Sequence, residues 1–86
     1  MSRKLYIGNL DYNTTEVDLE GSFSKFGSIE SVRVIRDHET DRSRGFGFVN
    51  FQDKESGITA LDEMNNSDLL GRQMNVKIAN DRNLVR

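Results

Sequence analysis

The sequence predicts an α+β fold in the order βαββαβ: a four-stranded antiparallel sheet with two helices packed on one of its faces. Two observations predict it directly. Four short stretches alternate apolar and polar residues with period 2, and two stretches between them repeat apolar residues at helical spacing. A third is negative: the chain has no linker, internal repeat or low-complexity segment, so 86 residues are expected to form one domain, with a core over 3–80 and a tail over 81–86.

The first strand is predicted over Arg3 to Leu10, with Leu5 and Ile7 inward and Lys4, Tyr6 and Gly8 outward. Asp11-Tyr12-Asn13 is turn chemistry. Thr15 then suits an N-cap, with Asp18 three residues on to complement the exposed amides and the helix dipole. Leu19, Phe23 and Phe26 make the apolar stripe of a helix over 15–26, which Gly27 stops at C′. Gly21 and Ser22 weaken this helix, Gly21 by about 1 kcal/mol against Ala, so packing must hold it.

Ile29 to Asp37 is the second strand, with Val32 and Val34 inward and Arg33 and Ile35 outward. A charged loop, His38 to Ser43, leads to the third, Arg44 to Phe51, which reads Arg-Gly-Phe-Gly-Phe-Val-Asn-Phe. Asp53 opens a second helix over 53–66, striped with Gly57, Ala60, Leu61 and Met64, with Ile58 beside the stripe. Asn65 to Gly71 is a connection anchored by Leu69. The last strand is Met74 to Ile78, with Met74, Val76 and Ile78 inward and Asn75 and Lys77 outward.

The third strand is unusual in having aromatics on both faces. Gly45, Gly47, Val49 and Phe51 form an ordinary core face, and Gly47 is expected to leave room for a large neighbour behind the strand. Arg44, Phe46, Phe48 and Asn50 form the other, where two rings stand beside a cation and an amide. Flat π surfaces next to positive charge suit the stacking of unpaired bases and the neutralisation of phosphate. The net charge of −2 conceals a segregation that fits this. The two helical segments carry two basic and seven acidic residues, a net of −5, and the remainder ten basic and seven acidic, a net of +3. Helices behind the sheet would therefore leave a positive front.

With these residues in view, the chain resembles the RNA recognition motif family over essentially residues 3–80. Leu5-Tyr6-Ile7-Gly8-Asn9-Leu10 matches the family's hexamer motif, and Arg44 to Phe51 matches its octamer at every defined position. The resemblance implies the ferredoxin-like form of the fold, with the two motifs on adjacent central strands. It implies that Tyr6 and Phe48 each stack under a base, that Phe46 packs against the sugars between them, and that Arg44 pairs with phosphate.

Lys4, Arg33, Asn50, Asn75 and Lys77 project from the same face as candidate phosphate or base-edge contacts, although Arg33 and Lys77, like Arg42 in the loop, also suit plain solvation. Arg36 and Arg42 are candidate clamps from the edge and the loop. Asn80 and Arg82 are candidates where the family's chain crosses the end of the sheet. Asn9 reads as a loop-capping residue. Three positions depart from the family pattern: Asp41 where Gly is frequent, Ser22 where a large apolar residue is usual, and Leu70 where a polar one is.

The partner expected is single-stranded RNA; stacking is indifferent to the 2′-OH, so single-stranded DNA stays open. So does a peptide partner, met through the helical or the sheet face or through Leu70. No Cys is present, ruling out disulfides and Cys-based metal sites, and His38 stands in a loop without partners at metal spacing. No nucleophile–base set occurs, and Gly45-Phe46-Gly47 lacks the third Gly of a dinucleotide loop. The expectation is a monomeric binding module, not an enzyme, with no cofactor and no membrane partner, working inside the cell in the nucleus or the cytoplasm.

Overall fold

A computed structural model describes residues 4–79. The elements are β1 (Lys4–Gly8), α1 (Glu16–Phe23), a 3-10 turn (Ser24–Phe26), β2 (Ile29–Arg36), β3 (Ser43–Phe51), α2 (Lys54–Met64), β4 (Asp68–Leu69), β5 (Arg72–Gln73) and β6 (Asn75–Ile78). The main sheet has the order β2-β3-β1-β6 and is antiparallel throughout. Both helices bury their apolar stripes on one side of it. Leu19 and Phe23 of α1 and Ala60 and Met64 of α2 share a core with Leu5, Ile7, Val49, Phe51 and Val76. The predicted α+β architecture is the one observed.

Local chemistry explains the helix starts and stops. The Asp18 N–H donates to Thr15 Oγ1 and the Thr15 N–H to Asp18 Oδ2, closing a capping box at the head of α1. The α-helix ends at Phe23, and the chain tightens into the 3-10 turn through Phe26, so the expected helix over 15–26 is two pieces. Gly27 closes it for a packing reason. A Cβ there would run into Ser56 Oγ and come within 2.7 Å of Ser56 Cβ, so Gly27 lets α2 approach. Phe26, expected in the core, is half-buried against its margin.

The sheet departs from simple alternation where β2 and β3 change register. Ile29 pairs with Phe51 but Ser31 with Asn50, so Glu30 is an extra residue on β2. That bulge lets Ile29, as well as Val32 and Val34, face the helices. Gly47 is buried for a reason other than the one expected: a Cβ would strike the Arg33 carbonyl oxygen and lie 3.2 Å from Val34 Cα. The close neighbour is the β2 backbone, not a large side chain.

Three further expectations are corrected. Residues 65–71 were expected as a plain connection. Instead β4 and β5 form a small hairpin whose two turn residues, Leu70 and Gly71, have φ of 53° and 85°, as a type I′ turn requires. Ile78 is on the inward side by parity but 44% exposed, at the end of an edge strand. Arg36 does not project as a clamp. Its Nη1 and Nη2 donate to Glu16 Oε2 and Oε1 at 3.0 and 3.2 Å, because α1 packs along the edge strand β2. Glu16 Oε2 also accepts the Val34 N–H at 3.0 Å. The Arg36 hydrogen bonds first, and then the Val34 amide, hold the Glu16 carboxyl down at about 2. Asn80 and Arg82 lie outside the described residues, as does the tail.

Candidate nucleic-acid interface

The sheet face opposite the helices is centred on the adjacent strands β1 and β3, and the strand register decides which side chains meet. Tyr6 of β1 pairs across the strands with Phe48 of β3 on one side and with Lys77 of β6 on the other. Phe48 in turn pairs with Arg33 of β2. Arg33, Phe48, Tyr6 and Lys77 therefore form one row across all four strands, cation–ring–ring–cation. Phe46, two residues before Phe48, stands on the same face and completes a cluster of three rings. Its centroid is 5.6 Å from that of Tyr6 and 6.2 Å from that of Phe48, and Tyr6 and Phe48 are 5.9 Å apart. Phe48 meets both other rings edge-to-face, at 65° to Tyr6 and 87° to Phe46, while Tyr6 and Phe46 are tilted by 35°, and each ring stays half-buried. Gly8 makes room for Tyr6: a Cβ at Gly8 would lie 2.9 Å from the Tyr6 hydroxyl.

Cations border the cluster. Lys4 Nζ stands 5.1 Å from the centre of the Phe48 ring, and Arg44 Cζ 5.8 Å from that of Phe46. Alternation alone does not place Arg44, because β3 is irregular there: between Val34–Gly47 and Arg36–Ser43 its extra residues include Gly45 at φ 85°. The guanidinium nonetheless returns over Phe46. Asn50 is half-buried and pairs with Lys4, and its Nδ2 donates to Glu30 Oε1 at 3.4 Å. Glu30 thus sets an acidic group at this margin of the face, which alternation through β2 did not place because of the bulge. Asn75 is exposed on the edge strand opposite Gly8, and Arg42 is exposed in the β2–β3 loop.

Beyond the end of β1 the site continues into the loops. Asn9 holds the corner at φ 60°: its Nδ2 donates to the Gln73 carbonyl at 2.6 Å, and its Oδ1 accepts from Arg72 Nη2 at 2.6 Å. It is a capping residue, as its position suggests. Tyr12 and Arg72 line the cleft next to Tyr6 and Phe46 and were not singled out for the site. For Tyr12 the available signal was an aromatic in a polar turn; for Arg72 it was the contact with Asn9, 63 residues away, which sequence spacing does not show.

An open sheet face with three preorganised rings between cations can stack planar ligands and neutralise anions beside them. Comparison with known proteins agrees in kind. The family model of the RNA recognition motif matches residues 5–75. The glycine-rich RNA-binding protein 2, mitochondrial, of Arabidopsis thaliana is 48% identical over 82 residues, covering 95% of this chain and 52% of that protein. The chain spans about half the length of that curated relative. Among solved structures, the RNA binding protein PG1 superposes with a TM-score of 0.87 at 43% identity, over 90% of this chain and 93% of that one. The Rna15 RRM with bound RNA (GU) does so with a TM-score of 0.81 at 29% identity, over 92% of this chain and 84% of that one.

Proposed function

The chain belongs to the RNA recognition motif family, and we propose that it is a single-stranded RNA-binding module whose site is the open face of the sheet. The observation that carries this is the row Arg33–Phe48–Tyr6–Lys77 with Phe46 beside it: rings for the bases, and cations at the spacing of the strands for the phosphates. Tyr6 and Phe48 each take a base, Phe46 packs on the sugars between, and Arg44 and Lys4 meet phosphate. Arg33, Asn50, Asn75 and Lys77 add phosphate or base-edge contacts, with Arg82 as a further candidate. The module acts as one monomeric domain by binding alone, without catalysis, inside the cell, in the nucleus or the cytoplasm.

Each stacked base contributes about 1–3 kcal/mol, so two or three bases with a few phosphates, less the ordering cost, reach roughly micromolar affinity, near −8 kcal/mol. The test is fluorescence anisotropy with short single-stranded RNA of random sequence. Wild type is compared with Phe46→Ala/Phe48→Ala after circular dichroism shows both folded, and single-stranded DNA is run beside the RNA. Micromolar or tighter RNA binding that the double variant loses supports the reading. Equal binding by both proteins removes the sheet face from the site.

A second reading, a protein partner on the helix side, has its own support. Ile58 of α2 is 47% exposed and lines a shallow cleft with Leu61, Asp62 and Glu63, an apolar and acidic combination suited to a basic peptide. No RNA binding by a folded wild type would favour it.

A further inference from the structure

We propose that Tyr12 is a fourth stacking surface, which receives the base of an RNA strand as it leaves the sheet beside Phe46; this rests on the sheet face being the RNA site. Tyr12 follows β1 in the loop before α1 and is 74% exposed, an aromatic residue given largely to solvent. The ring is nevertheless seated. Its Cε1 lies 3.4 Å from where a Cβ on Gly45 would stand, so the ring lies over Gly45 of β3, where a side chain would crowd it. The loop that carries it is held as well: Asp11 Oδ1 accepts the Asn13 N–H at 2.8 Å, and the Asp11 carbonyl accepts the Thr14 N–H at 2.9 Å. A large flat ring ordered in advance loses little freedom when a base stacks on it.

Position argues the rest. Tyr12 shares a cleft of about 560 Å³ with Tyr6 and Phe46, so it borders the three-ring cluster directly. Tyr12 and Arg44 also line a second cleft, whose walls include the cations Arg36 and Arg42 as well as Asp37 and Asp41. The two hollows therefore meet at this ring and this cation, and a strand passing from one to the other crosses Tyr12 with Arg44 at hand for its phosphate. Asp11 lines the first cleft too, and its carboxylate repels phosphate. What fits over Tyr12 is thus the neutral face of a base, with the backbone turned toward Arg44.

The experiment compares an RNA trinucleotide, long enough for the sheet cluster alone, with a hexanucleotide that reaches the loop. Wild type should bind the longer RNA more tightly. Tyr12→Ala should lose about 5- to 160-fold on the hexanucleotide, the increment of one stacked base, and less than about twofold on the trinucleotide. Tyr12→Phe should keep the hexanucleotide affinity. A direct readout follows from composition: the chain has two Tyr and no Trp, so in Tyr6→Phe the emission belongs to Tyr12 alone. That emission should be quenched by saturating hexanucleotide and not by trinucleotide. Emission unmoved by the hexanucleotide, quenching by both lengths alike, or an equal loss of affinity on both lengths in Tyr12→Ala would each overturn the proposal. Hexanucleotide binding retained in full by Phe46→Ala/Phe48→Ala would instead overturn the sheet-face reading, and this proposal with it.

Discussion

Gly47 and Leu70 are two residues at which backbone demands, not contacts made, set the cost of a side chain. At Gly47 the β2 backbone at Arg33 and Val34 closes over the position where a Cβ would stand. Gly47→Ala is expected to destabilise the domain by about 1–3 kcal/mol, because a strand and not a flexible side chain has to give way. Thermal unfolding would show it as a lowered Tm. Leu70 is the reverse case. It is 51% exposed at φ 53°, a conformation disfavoured for a bulky L-residue and tolerated by Asn. Leu70→Asn removes no core contact of a buried residue and relieves the turn, so it should raise stability by about 0.5–1 kcal/mol. Urea unfolding at fixed m-value would measure it.

At the scale of elements, α1 and the edge strand β2 are joined by one carboxylate. Glu16, at the first turn of α1, accepts from Arg36 and from the Val34 N–H of β2, which lowers its carboxyl from the ordinary 4.5 to about 2. The folded state therefore binds this proton less readily than the unfolded chain. The stabilisation is complete above about pH 4.5 and is lost as the pH falls toward about 2. Glu16→Gln should flatten that acid limb of the stability curve, read as Tm against pH, and leave the shape above pH 5 unchanged. Such a link was not legible in the sequence, because Glu16 and Arg36 are 20 residues apart and meet only once α1 lies against β2. The N-cap at Thr15 and the placing of Asp18 near the first amides were legible, being complete within four residues; the return bond from the Thr15 N–H to Asp18 came with the structure. Alternation likewise assigned Tyr6, Phe46 and Phe48 to the open face, while their meeting on adjacent strands followed from the resemblance to the family. The bulge at Glu30 and the β4–β5 hairpin were hidden. A bulge adds a residue without a compositional mark, and Leu70-Gly71 lacks the usual Asn-Gly of its turn.

For the whole molecule, the acidic helices behind the sheet and the cations on its open face reconcile a net charge of −2 with an anionic partner. Lys4, Arg33, Arg44 and Lys77 border the rings, so about two to four phosphates are within reach. Affinity for single-stranded RNA should then fall with a slope of about −1.4 to −2.8 in log K against log salt, at about −0.7 per phosphate. Titrations over a series of salt concentrations measure it; a slope near zero would leave these cations without a role. The most direct test of the sheet face is a backbone amide NMR titration with single-stranded RNA. Saturable shifts should concentrate on β1 and β3 around Tyr6, Phe46 and Phe48, with Arg33 and Lys77 at their flanks, while the outer surfaces of α1 and α2 stay unmoved. Shifts confined to the helices, or none at concentrations that saturate binding, would contradict the sheet-face site.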